Sequence, residues 1–81
     1  MKYTEYFKHM KLRSDRAFIK EKWIIYTHKN PIKTEVQSDG RIRKWAFVEE
    51  IDRYLRIILL PDGETVHNAF FDRNFNKNSK R

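Results

Sequence analysis

The most apolar stretch of the chain is Leu55, Ile57, Ile58, Leu59 and Leu60, bounded by Asp52 before it and Pro61-Asp62-Gly63 after it. It is too short for a helix and rich in β-branched residues, which predicts a central, buried strand. With Thr65 to Asp72 behind it, the segment Arg53 to Asp72 reads as a hairpin. A two-residue loop would require a ladder N–H from Pro61, which proline lacks. Pro61 suits the second position of a type I turn, with Gly63 in the left-handed bulge position. That turn makes Leu60 face Glu64 and pairs Leu59 with Thr65, Ile58 with Val66, Ile57 with His67 and Arg56 with Asn68. One face then carries Leu55, Ile57, Leu59, His67, Ala69 and Phe71; the other carries Tyr54, Arg56, Ile58, Val66, Asn68 and Phe70. His67 and the Arg56–Asn68 pair, polar groups among apolar neighbours, are the first functional candidates.

Upstream the period changes to 3.6. Tyr3, Phe7 and Met10 form an apolar stripe that predicts a helix over 3–13. His9, Arg13 and Arg16 share another face if that helix continues. Ser14 or Asp15 would cap a second helix over 18–29, with Ile19, Trp23 and Tyr26 buried and Ile24 and Thr27 widening the stripe. Pro31 stops it, since proline disfavours helical geometry in the residue before it. Period two then begins at Lys33. Ser38-Asp39-Gly40 repeats the turn chemistry of the later hairpin, so that Gln37 faces Arg41, Val36 faces Ile42 and Glu35 faces Arg43. A strand over Arg41 to Glu49 and a turn through Glu50-Ile51-Asp52 lead back to the central strand. The expected fold is α+β: two N-terminal helices packed on a four-stranded antiparallel meander over residues 1–73. Residues 74–81, polar and basic, are expected to form a disordered tail.

Length and composition narrow the function. Eighty-one residues suffice for one modest core. There is no cysteine, hence no disulfide framework or thiolate metal site. No apolar run approaches the roughly 18 residues of a membrane span, and Met-Lys-Tyr-Thr-Glu carries no signal-peptide core. A cytoplasmic protein with no membrane partner is expected. The net charge of +7, with 15% aromatic residues, points to a folded domain with an anionic partner, nucleic acid foremost. The alternatives are an acidic protein partner or a basic surface with no partner. His9, His28 and His67 lack metal-ligand spacing, and Gly40 and Gly63 belong to turns. The serines fall in turns or the tail, so neither metal, cofactor nor serine nucleophile is expected.

Arginine, histidine and tyrosine on a basic sheet remain. Metal-free RNA cleavage needs a proton acceptor for the 2′-hydroxyl, a counter-charge for the phosphorane and a proton donor for the leaving oxygen. Arg56 and His67, with His9 and Arg13, are the catalytic candidates; Arg16, Arg41, Arg43, Tyr54 and Arg73 are the nucleic-acid-binding ones. Each has a plainer role to weigh against it. His67 could be a satisfied edge histidine, Arg56 the ion-pair partner of Glu49 or Asp72, and the His9-Arg13-Arg16 stripe a solvated helix face. Trp45, Phe47 and Tyr54 could stack on bases or simply pack. In a regular ladder Arg56 and His67 point to opposite faces, and only a bulge or a strong twist would unite them. Otherwise Arg56 joins Tyr54 and Asn68 on the open face, or His67 joins His9 and Arg13 at a sheet edge.

The series His9-x-x-x-Arg13-x-x-Arg16, Ile19, Asn30-Pro31, Gly40-Arg41-Ile42-Arg43, Tyr54-Leu55-Arg56-Ile57-Ile58 and the final strand Val66 to Phe71 resembles BrnT-type proteins and related small families around the RelE/ParE toxin superfamily. The likeness spans residues 6–73. It implies a compact helix–helix–sheet fold, an antitoxin partner and, for some members, cleavage of ribosome-bound or free mRNA. His9, Arg13 and Arg16 match the helical His/Arg pattern, and Arg56 the basic position of the central strand. His67-Asn68-Ala69-Phe70-Phe71-Asp72-Arg73 matches no catalytic motif of that group. Two function classes follow. One is a toxin-like, RNA-binding, metal-independent endoribonuclease neutralised by an acidic antitoxin; the other is a noncatalytic nucleic-acid- or protein-binding module.

Overall fold

The computed structural model describes residues 1–13 and 15–75, with side chains for 1–12 and 17–75. In chain order it comprises β1 (Lys2–Tyr3), α1 (Glu5–Arg13), a 3-10 turn (Asp15–Phe18) and α2 (Glu21–Lys29). Then come β2 (Lys33–Val36), β3 (Ile42–Val48), a second 3-10 turn (Glu49–Ile51), β4 (Arg53–Leu59) and β5 (Thr65–Phe71). The strands form one sheet in the order β1-β5-β4-β3-β2. β2 to β5 are the antiparallel meander that the alternation predicts. β1 is an addition: it pairs parallel with β5, Lys2 beside Thr65 and Tyr3 beside Val66, so the α+β sheet is five-stranded and mixed.

The cause is the cap of the first helix, expected from residue 3 and found from Glu5. The Thr4 hydroxyl accepts the Phe7 N–H at 3.1 Å and the Thr4 carbonyl accepts the Lys8 N–H at 3.0 Å, as an N-cap threonine does. Residues before a cap are not helical, and the Thr4 N–H donates instead to the Val66 carbonyl at 3.0 Å. Tyr3 still reaches Phe7, with ring centroids 5.5 Å apart.

The second helix starts at Glu21, later than expected, after the 3-10 turn; Ser14 lies outside the described residues. Its buried side chains are Trp23, Ile24 and Thr27, with Ile19 buried just ahead of it. Tyr26, expected in the stripe, is 50% exposed. The apolar face is therefore rotated toward Thr27. That threonine tolerates complete burial because its hydroxyl donates to the Trp23 carbonyl at 2.8 Å, whereas a phenol on the outside keeps its O–H in water.

Both helices cover one face of the sheet. The core beneath them contains Leu55, Ile57 and Leu59 of β4 with Phe7, Ile19, Ile24, Val48, Val66 and Ala69. Each fully buried Leu or Ile contributes about 1.5–3 kcal/mol through apolar area removed from water. Among the described residues no helix lies on the opposite face.

The first hairpin has the expected register, Val36 opposite Ile42 and Glu35 opposite Arg43. The second departs from it twice. Gly63 is left-handed (φ 71°) and its N–H donates to the Leu60 carbonyl at 2.9 Å, as expected, but Leu60 pairs with Thr65, not Glu64. Glu64 is left outside the ladder because the Asp62 carboxylate takes its N–H at 2.8 Å, the Thr65 N–H at 2.9 Å and the Thr65 hydroxyl at 2.6 Å. This extra residue shifts Val66, expected on the open face, into the core, opposite Leu59. The second departure restores the phase. Ile58 pairs with Asn68, so His67 is bulged out, and Ala69 and Phe71 return to the helix-covered side. Arg56 consequently faces Phe70 instead of Asn68.

The Asp62 carboxyl is held down at about 2, first by the Thr65 hydroxyl and then by the Thr65 and Glu64 N–H groups. A carboxyl lowered in the folded state stabilises it fully above the ordinary value of 3.8, and that contribution disappears as pH falls through about 2. Asp62→Ala should lower the melting temperature at pH 7, with the gap to wild type closing between pH 4 and the acid limit. Thermal unfolding across that range checks it; a gap independent of pH would contradict the linkage.

Candidate functional site

Alternation along β4 places Tyr54, Arg56 and Ile58 on the face away from the helices. Across the ladder they meet Phe47, Trp45 and Arg43 of β3, in that order. β2 brings Lys33 and Glu35 alongside Trp45 and Arg43, and β5 brings Phe70 and Asn68 alongside Arg56 and Ile58. After β5 the chain turns back over this face. The Asp72 N–H donates to the Tyr54 carbonyl at 2.9 Å. The Phe75 ring then stacks on Trp45, with centroids 5.2 Å and planes 17° apart, and meets Tyr54 edge-on at 5.1 Å. Trp45 is therefore only 4% exposed, although no helix among the described residues covers this face. A cleft of about 410 Å³ remains between Lys33, Glu35, Arg43, Arg56, Phe70 and Phe75.

Arg56 is the centre of this cluster. Its guanidinium carbon lies 4.3 Å from the Phe70 ring centroid and 5.7 Å from that of Trp45. Its Nη1 is 3.7 Å from Asp72 Oδ2, which also accepts the Trp45 Nε1–H at 3.0 Å. Asp72 Oδ1 accepts the Asn74 N–H at 3.0 Å, so one carboxylate ties the arginine, the indole and the chain reversal together. Burial pushes the guanidinium down from its usual value and the Asp72 charge pushes it back up; an arginine stays protonated throughout. Nearby, Glu35 is shared by Lys33 Nζ and Arg43 Nη1 at 3.3 and 3.5 Å. Three cations therefore face two carboxylates around the cleft.

Of the other expected binding residues, Tyr54 and Arg43 share this face. Arg73 and Tyr54 line a neighbouring cleft of about 420 Å³ with Arg53 and Phe75. Arg41 stands apart at the first hairpin turn, its Nε 3.7 Å from Asp39 Oδ2 and its N–H bonded to Asp39 Oδ1. The side chains of Arg13 and Arg16 lie outside those described.

The bulge that could have united His67 with Arg56 aims the histidine elsewhere. His67 Nδ1 lies 3.2 Å from the Thr4 hydroxyl, and its ring stacks on Tyr6 at 4.8 Å. His67 thus meets the N-terminal segment at the β1 edge, while Arg56 stands among Trp45, Phe70 and Asp72. His9 is exposed on α1. The described contacts do not join Arg56, His67 and His9 into one constellation. Burial, then the charge of Arg41, keeps the His67 imidazole below its ordinary value.

Lys33, Phe70 and Phe75 were not among the expected site residues. Parity along β2 and β3 could have placed Lys33 beside Trp45; Phe75, assigned to the tail, offered only its aromatic ring as a signal. The rest of that tail, 76–81, lies outside the described residues. Among the described residues no group of three His, Asp or Glu side chains is arranged to hold a metal ion, and no helix is long and apolar enough to cross a membrane. No family model, no curated protein and no solved structure matches the chain. The likeness to BrnT-type and RelE/ParE-superfamily proteins rests on the residues that suggested it.

Two measurements test this geometry. Arg56→Ala leaves the half-buried Asp72 without its cation and should cost about 1–3 kcal/mol of unfolding free energy, against about 0.5 kcal/mol or less for Arg43→Ala. Urea midpoints compare the two; equal values would deny the Asp72 pair its structural role. By NMR, His67 should titrate below 6.5. Because its folded value lies below the unfolded one, its protonation destabilises the fold as pH falls through 6.5. Arg41→Gln should raise the His67 pKa only partway, since burial is the larger cause.

Proposed function

We propose that this protein binds single-stranded RNA on the outer face of its sheet. The observation that carries the reading is the grouping of Lys33, Arg43 and Arg56 with the rings of Trp45 and Phe70 around one cleft. Phosphates are matched by the cations and exposed bases by the rings, and the faces of unpaired bases are what a duplex conceals. Charge outside the cleft favours the same partner. Lys77, Lys80 and Arg81 follow Phe75 with no acidic residue among 76–81.

The finer reading is a toxin-like, metal-independent endoribonuclease held inactive by an acidic antitoxin. It draws on the resemblance and on one observation: Glu35 lines the same cleft as Arg43 and Arg56. A carboxylate able to accept a proton thus lies among arginines suited to a phosphate. An acidic antitoxin segment would compete for those cations. The noncatalytic alternative needs only the binding surface.

Binding to a short oligoribonucleotide should weaken steeply with salt, as counterion release requires. Arg43→Gln should reduce affinity and flatten the salt slope by about one unit while leaving the melting temperature near wild type. Binding indifferent to salt, or absent at low salt, would overturn the RNA reading. Incubation of bound RNA with EDTA present separates the two classes: cleavage lost in Glu35→Gln supports the toxin-like enzyme, and intact RNA supports the binding module.

A further inference from the structure

We infer that the exposed-side surface of the Trp45 indole is a nucleobase-binding subsite whose place Phe75 fills in the free protein. This rests on the reading of the outer face as an RNA surface. The Phe75 ring lies nearly parallel to the indole, 17° from it, at a centroid separation of 5.2 Å, and Tyr54 closes one side at 5.1 Å. A six-membered ring of a base has the same flat shape and stacks on an indole by the same offset geometry.

The indole is held independently of Phe75. Its Nε1–H is bonded to Asp72, and Asp72 is itself anchored by its N–H to the Tyr54 carbonyl and by its carboxylate to Arg56. Phe75 is tied far less firmly. Its N–H reaches the Asp72 carbonyl at 3.4 Å, and it stands outside every strand. Between it and the anchor lie only Arg73 and Asn74, both exposed in a turn that the Asn74 N–H to Asp72 Oδ1 bond closes at 3.0 Å, so rotation past that bond, between Asn74 and Phe75, withdraws the ring without disturbing the ladder.

Cations ring the stacking position. Lys33 Nζ lies 5.6 Å and the Arg56 guanidinium carbon 5.7 Å from the indole centroid, where donors can meet base carbonyls or the adjoining phosphate. Exchanging the Phe75 ring for a base keeps the indole covered and adds phosphate contacts that phenylalanine cannot make. The internal ring therefore competes with RNA, and the measured affinity is the intrinsic one reduced by the fraction of molecules in which Phe75 has swung out.

The test uses the full chain and a short fluorescein-labelled oligouridine at low salt. Phe75→Ala should bind about three- to tenfold more tightly than wild type, the factor expected from removing one stacked competitor. In the wild-type protein, NMR cross-relaxation between the Phe75 and Trp45 rings should vanish at saturation with RNA, and the Trp45 indole N–H resonance should shift. Equal or weaker binding by Phe75→Ala, with wild type binding normally, overturns the subsite. So does ring-to-ring cross-relaxation that persists in the saturated complex, a measurement that decides even if Phe75→Ala folds poorly. If neither protein binds at low salt, the RNA reading itself falls, and this inference with it.

Discussion

Everything in this domain depends on the alternation of one strand that is hydrogen-bonded on both sides. β4 lies between β3 and β5, and Leu55, Ile57 and Leu59 project into the core with no exposed surface. A slip of one residue would expose all three and bury Arg56 beneath the helices, so register is enforced by water's exclusion from these side chains. The same alternation sends Tyr54, Arg56 and Ile58 to the other face. The core and the candidate site are thus two sides of a single constraint.

The open face then has its own problem, a guanidinium surrounded by rings. Arg56 and Asp72 are 24% and 16% exposed in their side chains, too buried for either charge to be left alone. Asp72 meets the requirement from just beyond β5, and its second acceptor role, toward the Trp45 indole, folds the following residues over the face. A charge-pairing demand in the middle of the sheet thereby decides where Phe75 lies. Binding at the cleft and the position of the chain end are coupled for that reason.

The β5 edge shows how backbone hydrogen bonds redirect a side chain. Asp62 satisfies two N–H groups at the turn, and that local satisfaction lengthens the loop by one residue. The His67 bulge compensates for it. Without the bulge, Ala69 and Phe71 would leave the core; with it, the imidazole is delivered to Thr4 and Tyr6. The histidine nearest in sequence to the outer-face strand is in this way separated from Arg56, although both belong to one hairpin.

The sequence by itself determined the elements whose signals are local. Period two over Lys33 to Phe71, the two Asp-Gly turns, the first hairpin's register and the helix stop before Pro31 were all legible in it. So was Arg56 on the open face with Asp72 as one of two named partners. Tertiary structure alone decided the rest. Tyr3 has the spacing of a helical stripe, yet its backbone completes a parallel ladder with β5, a contact across more than sixty residues that no local pattern encodes. Tyr26 and Thr27 are neighbours on a helix, and only packing selects which is buried. The bulge at His67 and the return of Phe75 onto Trp45 follow from hydrogen-bond and charge demands between distant residues. Periodicity reports which way a side chain faces, and it carries no information about what waits there.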